Sequence, residues 1–477
     1  MNPRLTFSRA AWAPPHKLSA CAAVLWVGLS WSCAAWGMGP AALNGVPAAA
    51  VHAATHTEHA PGLDQQLTQL LPALSLPPVA QTREVIAALP PLLAAKAGVE
   101  LAQARSQRLQ AGVHEWALKA GAQQRSDVND KFFETDLALE RGVRFGRKGQ
   151  TDKALGEMGV NAGQMSYADT WHETVRTLVQ AWFEAQRARA AALVLMQQTA
   201  LAQDQWRVAQ RRVKAGEAPR MDEMMARAEL DRAQSAEQQA RGRLEVMLQE
   251  LRLRYPGLAL APLQLSSPSS LPLSASSRDM STTSGLPALP DTDATWLQRI
   301  MADNHEIELA EAEAQVARLT AQRAQLDTRP DPLVGVRASR ERGGAENVVG
   351  VYITLPISGA LRAADARAAQ AQADAAEQRL ALTRQKVEAA AQRAVLQARH
   401  TREVWERQQA VHVAMAQVAQ LSAKAYALGE VSLSESLQAK RNALEAGLAA
   451  QAARWDALEA ITRLLVDAHQ LWAADEH

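Results

Sequence analysis

The sequence predicts a mainly α protein with a small β part, in which long antiparallel coiled-coil hairpins carry most of the chain. Three observations predict this architecture. No proline interrupts 150–218 or 357–477, and such runs favour extended helices over a thick globular core. A short segment before each run alternates between apolar and polar residues, as a strand with one apolar face does. The order of strand, strand, long helix and glycine break occurs twice, which indicates an internal duplication.

Composition argues against several classes of function. The 477 residues carry a formal net charge of +1, so no nucleic-acid partner is predicted. The sequence shows no glycine-rich phosphate loop, no Ser/His/Asp context and no Glu-flanked pair of helical histidines. No catalytic residue is therefore assigned, and no cofactor or metal is expected. No apolar window long enough for a transmembrane helix follows the N-terminal leader.

The first residues have the pattern of an export signal. Basic residues precede an apolar run over 18–37, so 1–37 is assigned as a signal peptide. Cys33 is better placed for lipidation than Cys21, and these two are the only cysteines of the chain. After cleavage the mature chain would hold no cysteine, and it would have no disulfide framework.

A segment rich in Ala, Pro and Gly, 38–81, is predicted to be flexible. Three histidines in this segment are interpreted as part of a solvated tail rather than as metal ligands: His52, His56 and His59. From Thr82 a helix is predicted to about Ala111, with a kink at Pro90. This helix opens the first repeat, 82–254.

Two alternating segments follow the first helix. In the first segment Trp116 and Leu118 share a face opposite Lys119, and in the second Leu137 lies opposite Glu134. This period of two predicts a hairpin with one apolar and one charged side. Alone, such a hairpin would be interpreted first as a cover over a water-soluble core. Its second copy later in the chain changes that interpretation.

The first proline-free run predicts a very long helix. About sixty residues over 150–218 would span about 90–100 Å. A break follows at Gly216, and a second helix returns to about Arg254 with alanines at heptad spacing. The Pro- and Ser-rich stretch 255–295 is predicted to be an irregular linker between the repeats.

The second repeat, 296–477, follows the same plan. A helix capped near Thr292 is predicted to run to about Asp327, and Pro356 ends the second of the two strands that follow. Valines at heptad spacing indicate a packing frame on the next long helix: Val404, Val411 and Val418.

The two repeats are in register along the sequence. Gly146 and Gly359, each just after a second strand, lie 213 positions apart, and so do Gly216 and Gly429 at the helical breaks. Coincident glycines and equal helix lengths between them argue for a structural duplication.

Four strands from one chain cannot close a barrel, because a closed barrel needs about eight or more. Four strands from each of three chains would close without free edges, and their charged faces would line a wet lumen. The predicted fold is completed by this trimeric 12-stranded transmembrane β-barrel. Its expected lipid-facing residues are Trp116, Leu118, Phe133, Leu137, Leu139, Val143, Val349, Val351, Ile353 and Leu355.

Three segments carry a family resemblance. They are LPISGALRAADARAAQAQ over 355–372, AYALGEVSLSESLQAKRNALEA over 425–446 and RRVKAGEAPRMDEMMARAELDRAQ over 211–234. With these segments the chain resembles the TolC family of outer-membrane efflux proteins from about 82 to 472. The most specific signature is Tyr426, followed by Gly429, Leu433 and Leu437.

This resemblance implies a homotrimer in outer-membrane lipid, with a helical tunnel that extends across the periplasm. The implied partners are a periplasmic adaptor (membrane fusion) protein and an inner-membrane pump. The implied function is a passive exit duct of a tripartite efflux system, with metal cations or small organic molecules as substrates. The outer-membrane component of a type I protein secretion system stays open as an alternative. A periplasmic coiled-coil adaptor is the second alternative, although it would need larger β-domains.

The resemblance also implies roles at the two helical breaks. Gly216 and Gly429 would form tip turns, where a left-handed backbone suits glycine. The expected adaptor contacts are Gly216, Arg220, Met221, Gly429, Val431, Ser432 and Leu433. The carboxylates expected to narrow the tunnel are Asp222, Glu223, Glu430 and Glu435, and each fits equally well a solvated helix cap. The first tip departs from the family pattern over 217–221.

Overall fold

A computed structural model of the chain describes residues 74–126, 130–263, 265, 286 and 292–472. The proposed signal peptide, both cysteines and the three histidines of 38–81 lie outside these residues. The described helices and strands, in order, are α1 Val79–Ala87, α2 Pro90–Ala111, β1 Ala117–Ser126, β2 Lys131–Gly142, α3 Lys148–Lys214, α4 Arg220–Arg254, α5 Asp293–Ala302, α6 His305–Asp327, β3 Leu333–Glu341, β4 Glu346–Thr354, α7 Ala360–Leu428 and α8 Leu433–Asp467. The predicted mainly α fold with a small β part is confirmed, and the same order of elements occurs twice.

The long hairpins account for most of the helical residues. Helix α3 has 67 residues and α7 has 69, so each is about 100 Å long. Helix α4 packs along α3 and α8 packs along α7, and each of the returning helices has 35 residues. The predicted pair of long antiparallel helical hairpins is therefore confirmed, with returning helices about half as long as the outgoing ones.

Two of the predicted helices are each broken in two. The break at Pro90 agrees with the interruption predicted there, whereas the break at Asn304 corrects the prediction. Helices α1 and α2 are bent by 61° at the break before Pro90, because proline disfavours helical backbone at the residue before it. Helices α5 and α6 separate at Asn304, whose side chain accepts a hydrogen bond from the Ile307 amide at 3.0 Å and starts α6. Within the described residues no single helix is both long and apolar enough to cross a membrane. The bent pair of α1 and α2 is long and apolar enough when its two helices are counted together, by length and composition alone.

The four strands form one antiparallel sheet in the order β1-β2-β3-β4. Leu118 pairs with Leu139, Leu139 with Val336, and Val336 with Val351, so one row of apolar residues crosses all four strands. The central pairing, β2 with β3, joins the first repeat to the second. Strands β1 and β4 form the two edges of the sheet in the single chain.

The main core surrounds the middle of α3. Trp182 and Phe183 are completely buried there, and they pack with Trp296 of α5 and Leu458 of α8. Leucines of the segment after α4 complete this core: Leu258, Leu260 and Leu263. The start of the predicted linker over 255–295 has the predicted irregular backbone apart from a short 3-10 turn at Ala261–Leu263, and it packs against the helices because its leucines bury apolar area.

Two further predictions need correction. The flexible segment 38–81 ends earlier than predicted, because Leu74 is fully buried and the Ser75 carbonyl accepts a hydrogen bond from Trp182 Nε1 at 3.0 Å. On α7 two of the three valines at heptad spacing, Val411 and Val418, are not covered by the helices of their own chain. Val411 and Val418 are 46% and 50% exposed, whereas Val387 and Ala391 supply the buried contacts.

Candidate functional site

One face of the sheet exposes large apolar side chains. Val349 and Val351 are 83% and 81% exposed, and Trp116, Leu118 and Ile353 are all more than half exposed. The pairing register places most of the large apolar residues of the four strands on this one face, which we call the apolar face, whereas Phe132 and Val348 lie on the opposite face. All ten residues predicted to face lipid are exposed. Trp116, Val143 and Leu355 lie just beyond the strand ends, and the other seven lie on the apolar face.

The opposite face of the sheet is polar, and its charges are paired. Glu140 pairs with Lys119 at 2.6 Å and accepts a hydrogen bond from the Tyr352 hydroxyl at 2.6 Å. Glu134 pairs with Arg125 at 3.3 Å and accepts a hydrogen bond from Gln123. The period-two prediction of one apolar and one charged side is therefore confirmed for the whole sheet.

The far ends of the two hairpins turn at glycine. Gly216 and Gly429 have φ angles of 76° and 80°, the left-handed conformation expected for a glycine at a tip turn. In each turn the next amide reaches back to the helix: Glu217 to the Arg212 carbonyl and Glu430 to the Ala425 carbonyl, both at 2.9 Å. These bonds satisfy carbonyl groups that a helix end leaves unpaired.

The residues predicted to contact an adaptor divide into two groups. Arg220, Met221 and Ser432 are exposed at the tips, and Val431 is partly exposed. Leu433 is only 7% exposed, because it packs against Ala209 and Ala226 of the neighbouring hairpin. Its burial does not fit the predicted surface contact, and its side chain supports the tip from inside.

The four carboxylates predicted at the tunnel aperture have different surroundings. Asp222 accepts a hydrogen bond from the Tyr426 hydroxyl at 3.4 Å, which links the two tips. Glu223 accepts one from Gln210 at 3.3 Å. Glu435 forms a capping box with Ser432, as the helix-cap interpretation predicts, and Glu430 is exposed. The role of all four in an aperture stays a prediction.

A buried charge network at the junction of sheet and helices was not predicted. Lys148, the first residue of α3, is 2% exposed and donates to the Arg329 carbonyl at 2.7 Å and to Asp331 at 2.8 Å. Asp331 also accepts hydrogen bonds from the Phe145 amide and from the His114 ring, each at 2.9 Å. Burial opposes ionisation of Asp331, but these hydrogen bonds and the Lys148 ammonium lower its pKa to about 2.

The network continues around Asp152, one turn along α3. Asp152 accepts from Arg144 at 3.1 Å and from Arg323 of α6 at 2.5 Å. Arg144 also donates to the carbonyls of Leu109 and Gln110 at the end of α2. The junction network therefore ties both repeats together where the sheet meets the helices. The only signal in the sequence is Asp331 itself, a charged residue between two prolines.

Three histidines also meet in the middle of the molecule. The ring centroids of His172 and His469 are 5.0 Å apart and stacked, and those of His305 and His469 are 4.5 Å apart. Burial, with the charge of Arg176 adding to it, lowers the pKa of His172 to about 3. Burial also lowers the pKa of His469 to about 4. We call this group the histidine cluster.

The described residues hold no group of three or more His, Cys, Asp or Glu side chains in a geometry that could bind a metal ion. In the histidine cluster, the stacked rings of His172 and His469 do not converge on one point. His172 instead uses its Nε2 atom to donate to the Val466 carbonyl at 3.2 Å. The cluster is therefore a packing feature between α3, α6 and the end of α8.

This chain is similar to known proteins in its three-dimensional structure. No protein-family model and no curated protein matches the sequence. The Campylobacter jejuni CmeC outer membrane channel is similar at a TM-score of 0.65 and 15% identity, over 83% of this chain and 86% of the channel. The outer membrane protein VceC of Vibrio cholerae is similar at a TM-score of 0.65 and 15% identity, over 84% of this chain and 100% of VceC. The outer-membrane channel OprN is similar at a TM-score of 0.60 and 17% identity, over 86% of this chain and 92% of OprN.

The chain has the fold of these outer-membrane channels. These matches each cover more than four fifths of the chain. In this chain the fold combines an open four-stranded sheet with helices of about 100 Å. Sequence reasoning found the strands and the tips of this fold, but it missed the junction network and the histidine cluster.

Proposed function

We propose that this protein is the exit duct of a tripartite efflux system, set in the outer membrane with its helices extending into the periplasm. The apolar face of the sheet carries this proposal. A water-soluble protein rarely exposes a large continuous apolar patch, and such a patch indicates a membrane or a partner. A sheet with one apolar and one charged face fits a barrel wall between lipid and a wet lumen.

The free edges of the sheet support a trimer. Strands β1 and β4 carry unpaired backbone groups on their outer sides, and in lipid every such group needs a partner. Pairing β1 of one chain with β4 of the next closes twelve strands from three chains. The same symmetry would bring the exposed Val411 and Val418 of α7 against neighbouring helices.

The tips support contact with a periplasmic adaptor, and through it with an inner-membrane pump. Met221, Met224 and Leu428 are 66%, 67% and 75% exposed around the two glycine turns. Exposed methionine suits a surface that adapts to a partner, because its side chain is unbranched and polarisable. The duct itself needs no energy source, since the resemblance assigns active transport to the pump.

Two neighbouring valines of β4 test the proposal. Val349 lies on the apolar face, and Val348, 49% exposed, lies on the opposite face. An arginine on the lipid side of a barrel costs about 2–4 kcal/mol at the middle of the bilayer. Val349→Arg, combined with Val351→Arg and Ile353→Arg, should abolish trimers in the outer-membrane fraction. Val348→Arg should leave them in place.

The measurement is membrane fractionation followed by electrophoresis without heating, which separates trimers from monomers. Equal trimer yields from the triple variant and from Val348→Arg would contradict the assignment of the apolar face to lipid. If both variants are absent from membranes, their comparison does not test the apolar face. Ion conductance of wild-type trimers in planar bilayers then tests the proposed duct. If wild-type trimers show no ion conductance, that result would contradict the proposal that the protein is an exit duct.

A further inference from the structure

The charges of the sheet are sorted between its two faces. All carboxylates of the four strands lie on the polar face: Glu134, Asp136, Glu140, Glu341 and Glu346. The charged residues of the apolar face are all cations, and they lie toward its two ends. Arg141 lies near the helices, and Lys131 and Arg340 lie toward the far end. A face that carries cations without any carboxylate attracts anions.

The spacing of these cations matches the thickness of a membrane. Lys131 and Arg141 are ten residues apart on β2, which is about 34 Å along a strand. Barrel strands tilt by about 35–45°, so the separation along the membrane normal is about 26 Å. The apolar band of an outer-membrane barrel is about 25 Å tall. The two cations would therefore lie at the two headgroup levels.

Arg141 is held in a geometry that suits a phosphate group. Its guanidinium carbon lies 5.5 Å from the centroid of the Trp116 ring, and its Nε atom donates to the His114 carbonyl at 3.1 Å. Arg141 is an exposed residue. A planar guanidinium fits phosphate oxygens, and tryptophan is enriched at the membrane interface.

Apolar residues continue just past Arg141, in the connections to the helices. Phe145 is 62% exposed, Ile357 is 96% exposed and Leu361 is 75% exposed. Arginine and tryptophan with apolar neighbours at one level are typical of the boundary between headgroups and acyl chains. At the far end the Arg340 guanidinium lies beside Gly344 in the β3–β4 turn, away from the centre of the sheet.

We propose that the apolar face ends in two cationic rims that bind lipid phosphate groups. The inner rim, nearer the helices, is Arg141 with Trp116. The outer rim is Lys131 and Arg340. The rims fix the depth of the barrel in the bilayer, and they add an attraction for anionic lipid. This inference rests on the proposed function, because it requires the apolar face to lie in lipid.

The first experiment measures depth. A cysteine probe is placed at Val351 in the centre of the face, at Phe145 near the inner rim, and at Leu382 of α7 as a helical control that is 49% exposed. Each labelled full-length trimer is put into vesicles that carry nitroxide at the headgroup or deep in the acyl chain. The Val351→Cys probe should be quenched by the deep nitroxide and the Phe145→Cys probe by the headgroup nitroxide. No quenching at Val351→Cys would overturn the proposed function, whereas deep quenching at Phe145→Cys would overturn only the inner rim.

The second experiment tests the phosphate. Trimers with Arg141→Gln, Lys131→Gln and Arg340→Gln are compared in vesicles of phosphatidylglycerol and of an uncharged galactolipid that has no phosphate. The temperature of trimer dissociation should fall by about 2–4 °C for each rim charge in phosphatidylglycerol, with no fall in the galactolipid. Arg337→Gln, an exposed cation of β3 on the polar face, is the matched control and should behave alike in both lipids. Equal falls in both lipids would overturn phosphate binding while leaving the membrane location intact.

Discussion

The sheet and the helical middle of this molecule use apolar residues in opposite ways. Around α3 the large apolar side chains are turned inward, and Trp182 and Phe183 are completely buried. In the sheet they are turned outward, and paired charges occupy the other face. The helical middle therefore contains its own solvent-excluded core, whereas the sheet depends on an apolar surrounding that the chain does not supply. One chain therefore combines a region suited to water with a region suited to an apolar solvent.

Two tryptophans give the largest contrast between these regions. Trp182 is 0% exposed in the helical core and Trp116 is 63% exposed on the apolar side of the sheet. Trp182→Ala should cost about 3–5 kcal/mol of folding free energy, because it leaves a cavity. Trp116→Ala in detergent should cost far less. The measurement is loss of helical circular dichroism with urea. A similar loss for both variants would mean that the sheet also has a packed core.

Two lysines give the next contrast. Lys148 is buried in the junction network, and Lys119 pairs with Glu140 on the polar face with 62% of its side chain exposed. Lys148→Met removes the only ammonium group in contact with the Asp331 carboxylate in the described residues and should cost about 2–3 kcal/mol. Lys119→Met should cost less than about 1 kcal/mol, as exposed pairs do. Protease cleavage near 329–332 checks this, since only the first variant should open there. Equal resistance in both would show that the junction does not depend on Lys148.

Acid should weaken the helical middle before it weakens the junction. The folded pKa values of His172 and His469, about 3 and 4, lie below the value of 6.5 for an unfolded chain. Between pH 6.5 and about 4 the unfolded chain binds more protons, so stability falls as pH falls, by about 1 kcal/mol per pH unit for each histidine. The lowered pKa of Asp331 stabilises the junction above pH 3.8, and this contribution is lost only as pH falls toward 2.

Thermal unfolding at pH 7, 6, 5 and 4 tests this order. The unfolding temperature of the helices should drop across this range, and His172→Gln should flatten the drop because glutamine does not titrate. Asp331→Asn should lower the unfolding temperature at every pH in the range without changing the slope. A flat profile for the wild-type chain would contradict neutral, buried imidazoles.

The smallest expected effect concerns the two tips, whose returning helices begin with different caps. Ser432 caps α8 through a capping box with Glu435, whereas α4 begins after Pro219 without a side-chain cap. Ser432→Ala should cost about 1 kcal/mol locally. Amide hydrogen exchange in the first turn of α8 should then approach the rate in the first turn of α4. Unchanged protection after the substitution would mean that neighbouring contacts, such as those of Leu433, hold the turn instead.

Much of the fold could be predicted because its signals are local. The alternation around Leu118 and Val351, the absence of proline over 150–218 and the spacing of the glycines each depend on a short stretch of sequence. The same is true of the left-handed turns at Gly216 and Gly429, since glycine adopts that backbone at little cost.

The parts that could not be predicted depend on contacts between distant positions. Lys148 and Asp331 are 183 residues apart, and nothing near either residue marks the other. The break at Asn304 depends on a side-chain cap that competes with an otherwise good helical pattern. Val411 and Val418 keep a heptad spacing but are about half exposed, because a heptad pattern does not say which neighbour, in the same chain or in another, buries a residue.

The seam between β2 and β3 has a consequence for how the protein is made. Because this seam joins the two repeats within one polypeptide, the chain can form its whole four-stranded sheet before it meets another molecule. Two separately translated halves would each bring a lone hairpin, which is marginal by itself, and would have to find each other by diffusion. In the proposed trimer, covalent fusion would therefore halve the number of seams that depend on protein concentration, so that closure of the ring would need only encounters between whole chains.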